Sequence, residues 1–122
     1  MHAQEIPRQE WVRFCNDYSR QHDGWLASVR VKGGSVVDHV EAESMPFRGV
    51  SYEEKGTEKD SIAIFLNKGN KEDETHIISH PTRLRQEVDD GRDRGLEIEA
   101  RDGTTTLIRF KNPSVPEMVD RM

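Results

Sequence analysis

LEIEARDGTTTLIRF, residues 96–110, decides the fold. Leu96, Ile98 and Ala100 share one parity, and Ile108 and Phe110 share the next, so two strands of period two flank Asp102-Gly103. A two-residue turn there would set Ile98 opposite Leu107 and send Ile108 and Phe110 to the other face. A three-residue loop over 101–103 pairs Leu96 with Ile108 and keeps the apolar residues together, because a slip of one residue turns every side chain over. It also requires Gly103 to take the left-handed conformation. Carried upstream, the same logic centres the preceding connection near Gly91. It then sets Arg85 opposite Glu97 and Arg83 opposite Glu99 on the polar side.

Toward the N-terminus the period changes. Pro7 suits a first helical turn, where its missing N–H costs nothing. Trp11, Phe14, Cys15 and Tyr18 follow at helical spacing, and Gly24 can cap the end. From Trp25 the alternation is again two: Trp25, Ala27, Val29 and Val31 form one face. Gly33-Gly34-Ser35 reads as a turn. Val36, Val40 and Ala42 continue as a strand, Met45-Pro46 interrupts it, and Val50 and Tyr52 suggest another. Ile62, Ile64 and Leu66, with Ala63 and Phe65 opposite, suggest a strand enclosed on both faces. The fold class is therefore α+β: an N-terminal amphipathic helix followed by about seven short, mostly antiparallel strands, curling into a half-open small barrel. Residues 1–112 form one domain. Residues 113–122 form a tail, where Ser114 and Glu117 have the spacing of a capping box and suggest a short final helix.

Composition bounds the function. The chain has 122 residues, 33% hydrophobic and 34% charged, with 18 basic and 23 acidic side chains giving a net charge of −5. This balance fits a small polar globule with a modest core. No basic cluster with interleaved aromatics is present, so nucleic acid is not the expected partner. The single cysteine, Cys15, allows no internal disulfide. No long apolar run or leader-like N-terminus is visible, and the expected location is cytoplasmic with no membrane contact.

Several residues invite chemistry. His76 and His80 have the H-x-x-x-H spacing of a metal pair, but Ile77-Ile78 and Pro81 make the segment a strand, which separates them by about 13 Å. That is too far to share a metal, so neither metal nor cofactor is expected. Cys15 and His22 lie about 10 Å apart on a helix, outside hydrogen-bond reach. Cys15 reads as a buried thiol, and no catalytic residue is assigned. His22 continues the helix stripe at its C-terminal end, where the dipole favours a cation. Arg83 and Arg85 form a ladder with Glu97 and Glu99. Arg109, between Ile108 and Phe110, points to solvent or into an end pocket.

The segments Ser19-Arg20-Gln21-His22-Asp23-Gly24-Trp25, Thr75-His76, Pro81-Thr82-Arg83 and Asp102-Gly103-Thr104-Thr105-Thr106-Leu107 before Arg109-Phe110 resemble a family of small bacterial proteins known only as a domain of unknown function. The likeness runs roughly from residue 6 to residue 110, with the tail as an addition. It implies a bacterial, intracellular, stand-alone domain and no activity. It also marks His76 and Arg83.

Two readings of function follow. The chain is a non-catalytic binding or structural module for a protein partner or small ligand, with a homodimer through a strand edge or helix face as one form. Alternatively it is a small enzyme or ligand sensor with its site at the open end of the sheet, around His22, His76, Arg83 and Arg109. The ligand or partner candidates are His22, Trp25, His76, Arg83 and Arg109, and the test is whether His22, His76 and Arg83 meet in one pocket.

Overall fold

A computed structural model describes residues 2–57, 59–69 and 73–111. The short final helix expected in the tail lies outside these residues. The described chain runs β1 (His2–Glu5), a 3-10 turn (Arg8–Glu10), α1 (Trp11–His22), β2 (Leu26–Gly33), β3 (His39–Glu53), β4 (Ser61–Asn67), β5 (Asp73–Ser79), β6 (Pro81–Asp89), β7 (Arg92–Ala100) and β8 (Thr104–Phe110). All eight strands join one antiparallel sheet in the order β1-β6-β7-β8-β2-β3-β4-β5. One helix on an antiparallel sheet agrees with the α+β expectation. The sheet is not closed, since β1 and β5 are its edges. It must nevertheless curl, because β5 and β6 stand far apart in the sheet yet are joined by one residue, His80. Three consecutive Cα atoms span only about 7 Å.

The register argument from residues 96–110 holds. Leu96 pairs with Ile108, residues 101–103 form the loop, and Gly103 has φ +92°. Arg85 lies opposite Glu97, and Arg83 opposite Glu99.

Three expectations need correction. β1 was not foreseen: four exposed residues without an apolar face give no periodic signal, and only pairing with β6 makes them a strand. The strands expected on either side of Met45-Pro46 are a single strand, β3. Its first half pairs with β2 as far as Pro46, and its second half pairs with β4 from Phe47. Pro46 sits where the partner changes. Ser44 nearby has φ +53°, and both ladders slip in register around the change, so the strand bends instead of ending. Val36 and Val40 are exposed, and β3 begins only at His39.

The helix stripe buries Trp11, Cys15, Tyr18 and His22 against the concave face, while Phe14 is half-buried. Gly24, at φ +88°, lets the chain leave α1 and enter β2. Ser19 fixes the helix on β3: its Oγ accepts the Val50 N–H at 2.8 Å and lies 2.8 Å from the Cys15 carbonyl. Phe47, Val50, Ile62, Ile64, Leu66, Leu84, Leu96, Ile98, Ile108 and Phe110 complete the core. Each large side chain buried this way stabilises by about 1.5–3 kcal/mol. β4 follows the enclosed expectation only in part. Ile62, Ile64 and Leu66 are buried, but Ala63 and Phe65 remain half-exposed because β4 is second from the edge.

Candidate functional site

His22 sits at the C-terminal end of α1 and is 3% exposed. Its ring stacks on Phe110 and Tyr18, with centroids 5.0 and 4.0 Å away, and meets Trp25 edge-on at 4.5 Å. Nδ1 lies 2.8 Å from the Tyr18 carbonyl, and Nε2 lies 3.0 Å from an Asp93 carboxylate oxygen. Carbonyls and ionised carboxylates only accept, so each ring nitrogen faces an acceptor. Asp93 is the hub of the group. The Tyr18 hydroxyl donates to Oδ1 at 2.8 Å, Gln86 Nε2 to Oδ2 at 2.7 Å, and the Gly95 N–H to Oδ1 at 3.2 Å. Burial alone would raise the Asp93 carboxyl. The donors, His22 first, then Tyr18 and Gln86, outweigh it and hold the carboxyl below its ordinary value. Every strong acceptor position is filled, so His22 and Asp93 act as a buried clasp between helix and sheet. Trp25 is half-buried against this clasp.

Asp93 was not among the sequence candidates. Strict alternation from Leu96 would put it on the outer face beside Glu97. Gly95 breaks the alternation: its φ is +144°, and β6 slips in register opposite it, between Glu87 and Val88. An isolated glycine inside a strand is the one signal that could have exposed this turn inward.

On the outer face, the register lines up Glu87, Gly95, Arg109 and Ser28 across β6, β7, β8 and β2. Gly95 presents no side chain, and the Glu87 carboxylate reaches across it to Arg109. Burial lowers the Arg109 guanidinium from its ordinary value. An arginine stays charged throughout, so the pair is ionic. One row further, Arg85 contacts Glu99 at 2.7 Å and Glu97 at 3.1 Å, with Glu5 at 4.0 Å. Arg83 is exposed on the same face and makes no ion pair with another described residue. Beside Arg109 the outer face hollows into a concavity of about 410 Å³, lined among others by Ser28, Arg30, Val40, Glu43 and Leu107. It lies where β2 and β3 slip in register between Ala27 and Arg30.

His76 belongs to neither place. It is half-buried on edge strand β5 and lines a recess at the far turns of β2, β7 and β8. Thus the four residues of the enzyme reading do not share one cavity. His22 is in the clasp, His76 is in the recess, and Arg83 and Arg109 are on the outer face.

A second polar cluster was missed altogether. Asp60 contacts His80 Nδ1 at 3.2 Å, the Tyr52 hydroxyl at 3.1 Å and Arg8 at 3.3 Å. Arg8 also lies over the Trp11 ring, 4.3 Å from its centroid, and donates to the Pro81 carbonyl at 2.7 Å. Burial pushes the Asp60 carboxyl up, but His80, Tyr52 and Arg8 together hold it below its ordinary value. His80, where the chain turns from β5 into β6, has φ 54°, and Asp60, just before β4, has φ 58°. His80 therefore closes a corner. These residues are scattered from position 8 to position 81, and no local spacing connects them.

Cys15 is fully buried, and desolvation pushes its thiol up to about 12. Relative to a free thiol near 8.5, this cuts the reactive thiolate on the order of a thousandfold. The folded protein should leave a chromogenic disulfide reagent unreacted, whereas the urea-unfolded chain should consume one equivalent at once. Rapid native labelling would contradict the burial.

Among the described residues, no group of three or more His, Cys, Asp or Glu side chains is placed to hold a metal ion. No described helix is long and apolar enough to cross a membrane.

No solved structure matches the chain. An uncharacterised protein of Aquifex aeolicus (strain VF5) is 28% identical over 116 residues, which cover 95% of this chain and 97% of that protein. The likeness therefore extends beyond the core pattern of residues 6–110 into the segment read as an addition. A family model covers residues 2–118, and the chain accordingly belongs to the family of unknown function DUF5335.

Proposed function

We propose that this protein is a non-catalytic binding module that takes its ligand, or a side chain of a protein partner, in the concavity beside Arg109. The carrying observation is that hollow of about 410 Å³, within the size range of ligand sites. Its chemistry is mixed. Val40 and Leu107 supply apolar surface, and Arg30 lies directly opposite Leu107 in register. Among the described residues the Arg30 guanidinium has only a loose partner, Asp38, at 3.8 Å with both side chains about half-exposed. Such a pair is worth little in water. Arg30 is thus available to an anionic group, whereas Glu87 already neutralises Arg109. A ligand with an apolar body and one carboxylate suits this arrangement. The net charge of −5 favours neither nucleic acid nor an anionic membrane as the partner.

The enzyme reading required one pocket for four residues that stand in three places. Its best base, His22, is enclosed by Tyr18, Phe110 and Asp93.

Backbone amide spectra recorded during titration with benzoate, phenylacetate and hexanoate test the proposal, with the matching amines as controls. Shifts should cluster at Ser28, Arg30, Leu107 and Arg109 for the acids, and Arg30→Gln should remove them. Shifts centred elsewhere, or none, would overturn it.

A further inference from the structure

The recess around His76 lies apart from the outer-face hollow and has a different character. Its volume is about 210 Å³, and its walls include Val31, Ile78 and Ala100. Among the polar groups turned toward it are His76, Thr106 and Asp102. Thr106 is only 2% exposed, on the same inward parity as Ile108. Neither its hydroxyl nor the His76 ring hydrogen-bonds to another described residue. The nearly buried Thr106 and the half-buried His76 thus line one small cavity with hydrogen-bonding capacity that the protein's described residues leave unused.

The surrounding charge is negative. Glu41 and Glu74 lie close enough to His76 to favour a positive charge on its ring. His39 opposes them, but its Nε2 is 2.6 Å from the Glu41 carboxylate. Asp102 adds a carboxylate at the rim, its Oδ1 held by the Thr104 N–H and hydroxyl at 2.9 and 2.7 Å. Burial is the largest influence on His76 and lowers it, so near neutral pH the ring offers a lone pair. An imidazole lone pair, a threonine oxygen and a carboxylate are all acceptors.

We propose that this recess is a second ligand site, specific for a compact primary ammonium group, which donates to His76 and Thr106 and is balanced by Asp102. At roughly 30 Å³ per heavy atom the space suits a ligand of about half a dozen such atoms. An anion is disfavoured by the same carboxylates.

The test uses the full chain and three probes of similar size: ethanolamine, propylamine and propionate. Carbon–proton spectra follow the His76 ring, the Thr106 methyl and the Ile78 methyls. Both amines should produce saturable shifts at these groups, and propionate should produce none. Thr106→Val keeps the side-chain volume and removes the hydroxyl, and should weaken amine binding about tenfold. His76→Gln, on the edge strand, should weaken it similarly and guards against a folding defect in the first variant. Equal response to amines and propionate, no response, or unchanged amine binding in both variants would overturn the proposal. None of these outcomes bears on the Arg30 hollow, which is read at different residues with acidic probes.

Discussion

Gly95→Ala should yield either no folded protein or one destabilised by roughly 4 kcal/mol or more. A Cβ at this position would lie 1.7 Å from the Ile108 carbonyl oxygen and 2.8 Å from its carbon. Both atoms belong to the backbone of β8 and cannot swing aside as a flexible side chain would. The φ of +144° adds strain for any residue with a Cβ. The loss would also be shared, because Gly95 turns Asp93 inward and leaves the gap that Glu87 bridges to Arg109. Gly91→Ala is the control. Its φ is +78°, but nothing lies within 4 Å of the added Cβ, so only the backbone cost of about 1–2 kcal/mol applies. Urea denaturation followed by circular dichroism compares the two, and equal losses would rule out the close approach to β8.

Asp93→Asn should cost about 2–4 kcal/mol, from the loss of hydrogen bonds to a charged acceptor and at least one donor left unpaired. The amide nitrogen cannot accept from His22 or Gln86, so at least one donor is left facing another donor. His22→Phe should cost less, about 1–3 kcal/mol, because the ring stack survives and Asp93 keeps Tyr18, Gln86 and the Gly95 N–H. The reverse order would show that His22, not Asp93, is the centre of the clasp. The pH dependence separates them further. The Asp93 carboxyl is held below its ordinary value in the folded protein. Its contribution is therefore complete above the unfolded value of about 4 and is lost as pH falls through the lower folded value. Wild-type stability should decline in that acid window more steeply than that of Asp93→Asn, as measured by urea midpoints at successive pH values.

The sequence was most legible where a hydrophobic face and a turn residue had to agree. Leu96, Ile98, Ile108 and Gly103 admit one register, and the structure adopts it. The helix was equally readable, since Trp11, Cys15, Tyr18 and His22 fall on one side. Legibility failed where regular alternation stopped. Pro46 looked like an end because proline removes a ladder donor, but the strand changes partner at that residue and continues. Asp93 looked like part of a solvated turn because parity cannot foresee a glycine that rotates the strand. Arg8, Tyr52, Asp60 and His80 meet only through tertiary folding, as do His76 and Thr106 around their recess. His22 was rightly placed at the helix end, but its partner lies 71 positions downstream and cannot be found by spacing.

The placement of β1 beside β6 has a consequence for biosynthesis. His2 pairs with Val88, and Glu5 with Arg85. β1 must therefore wait for a partner made about 80 residues later, several seconds at about 5–20 residues per second. Until the two strands dock, β6 has no neighbour on that side, and the chain carries an unguarded strand edge. An N-terminal fusion that delays or blocks the docking of β1 should thus show itself first as a loss of soluble yield.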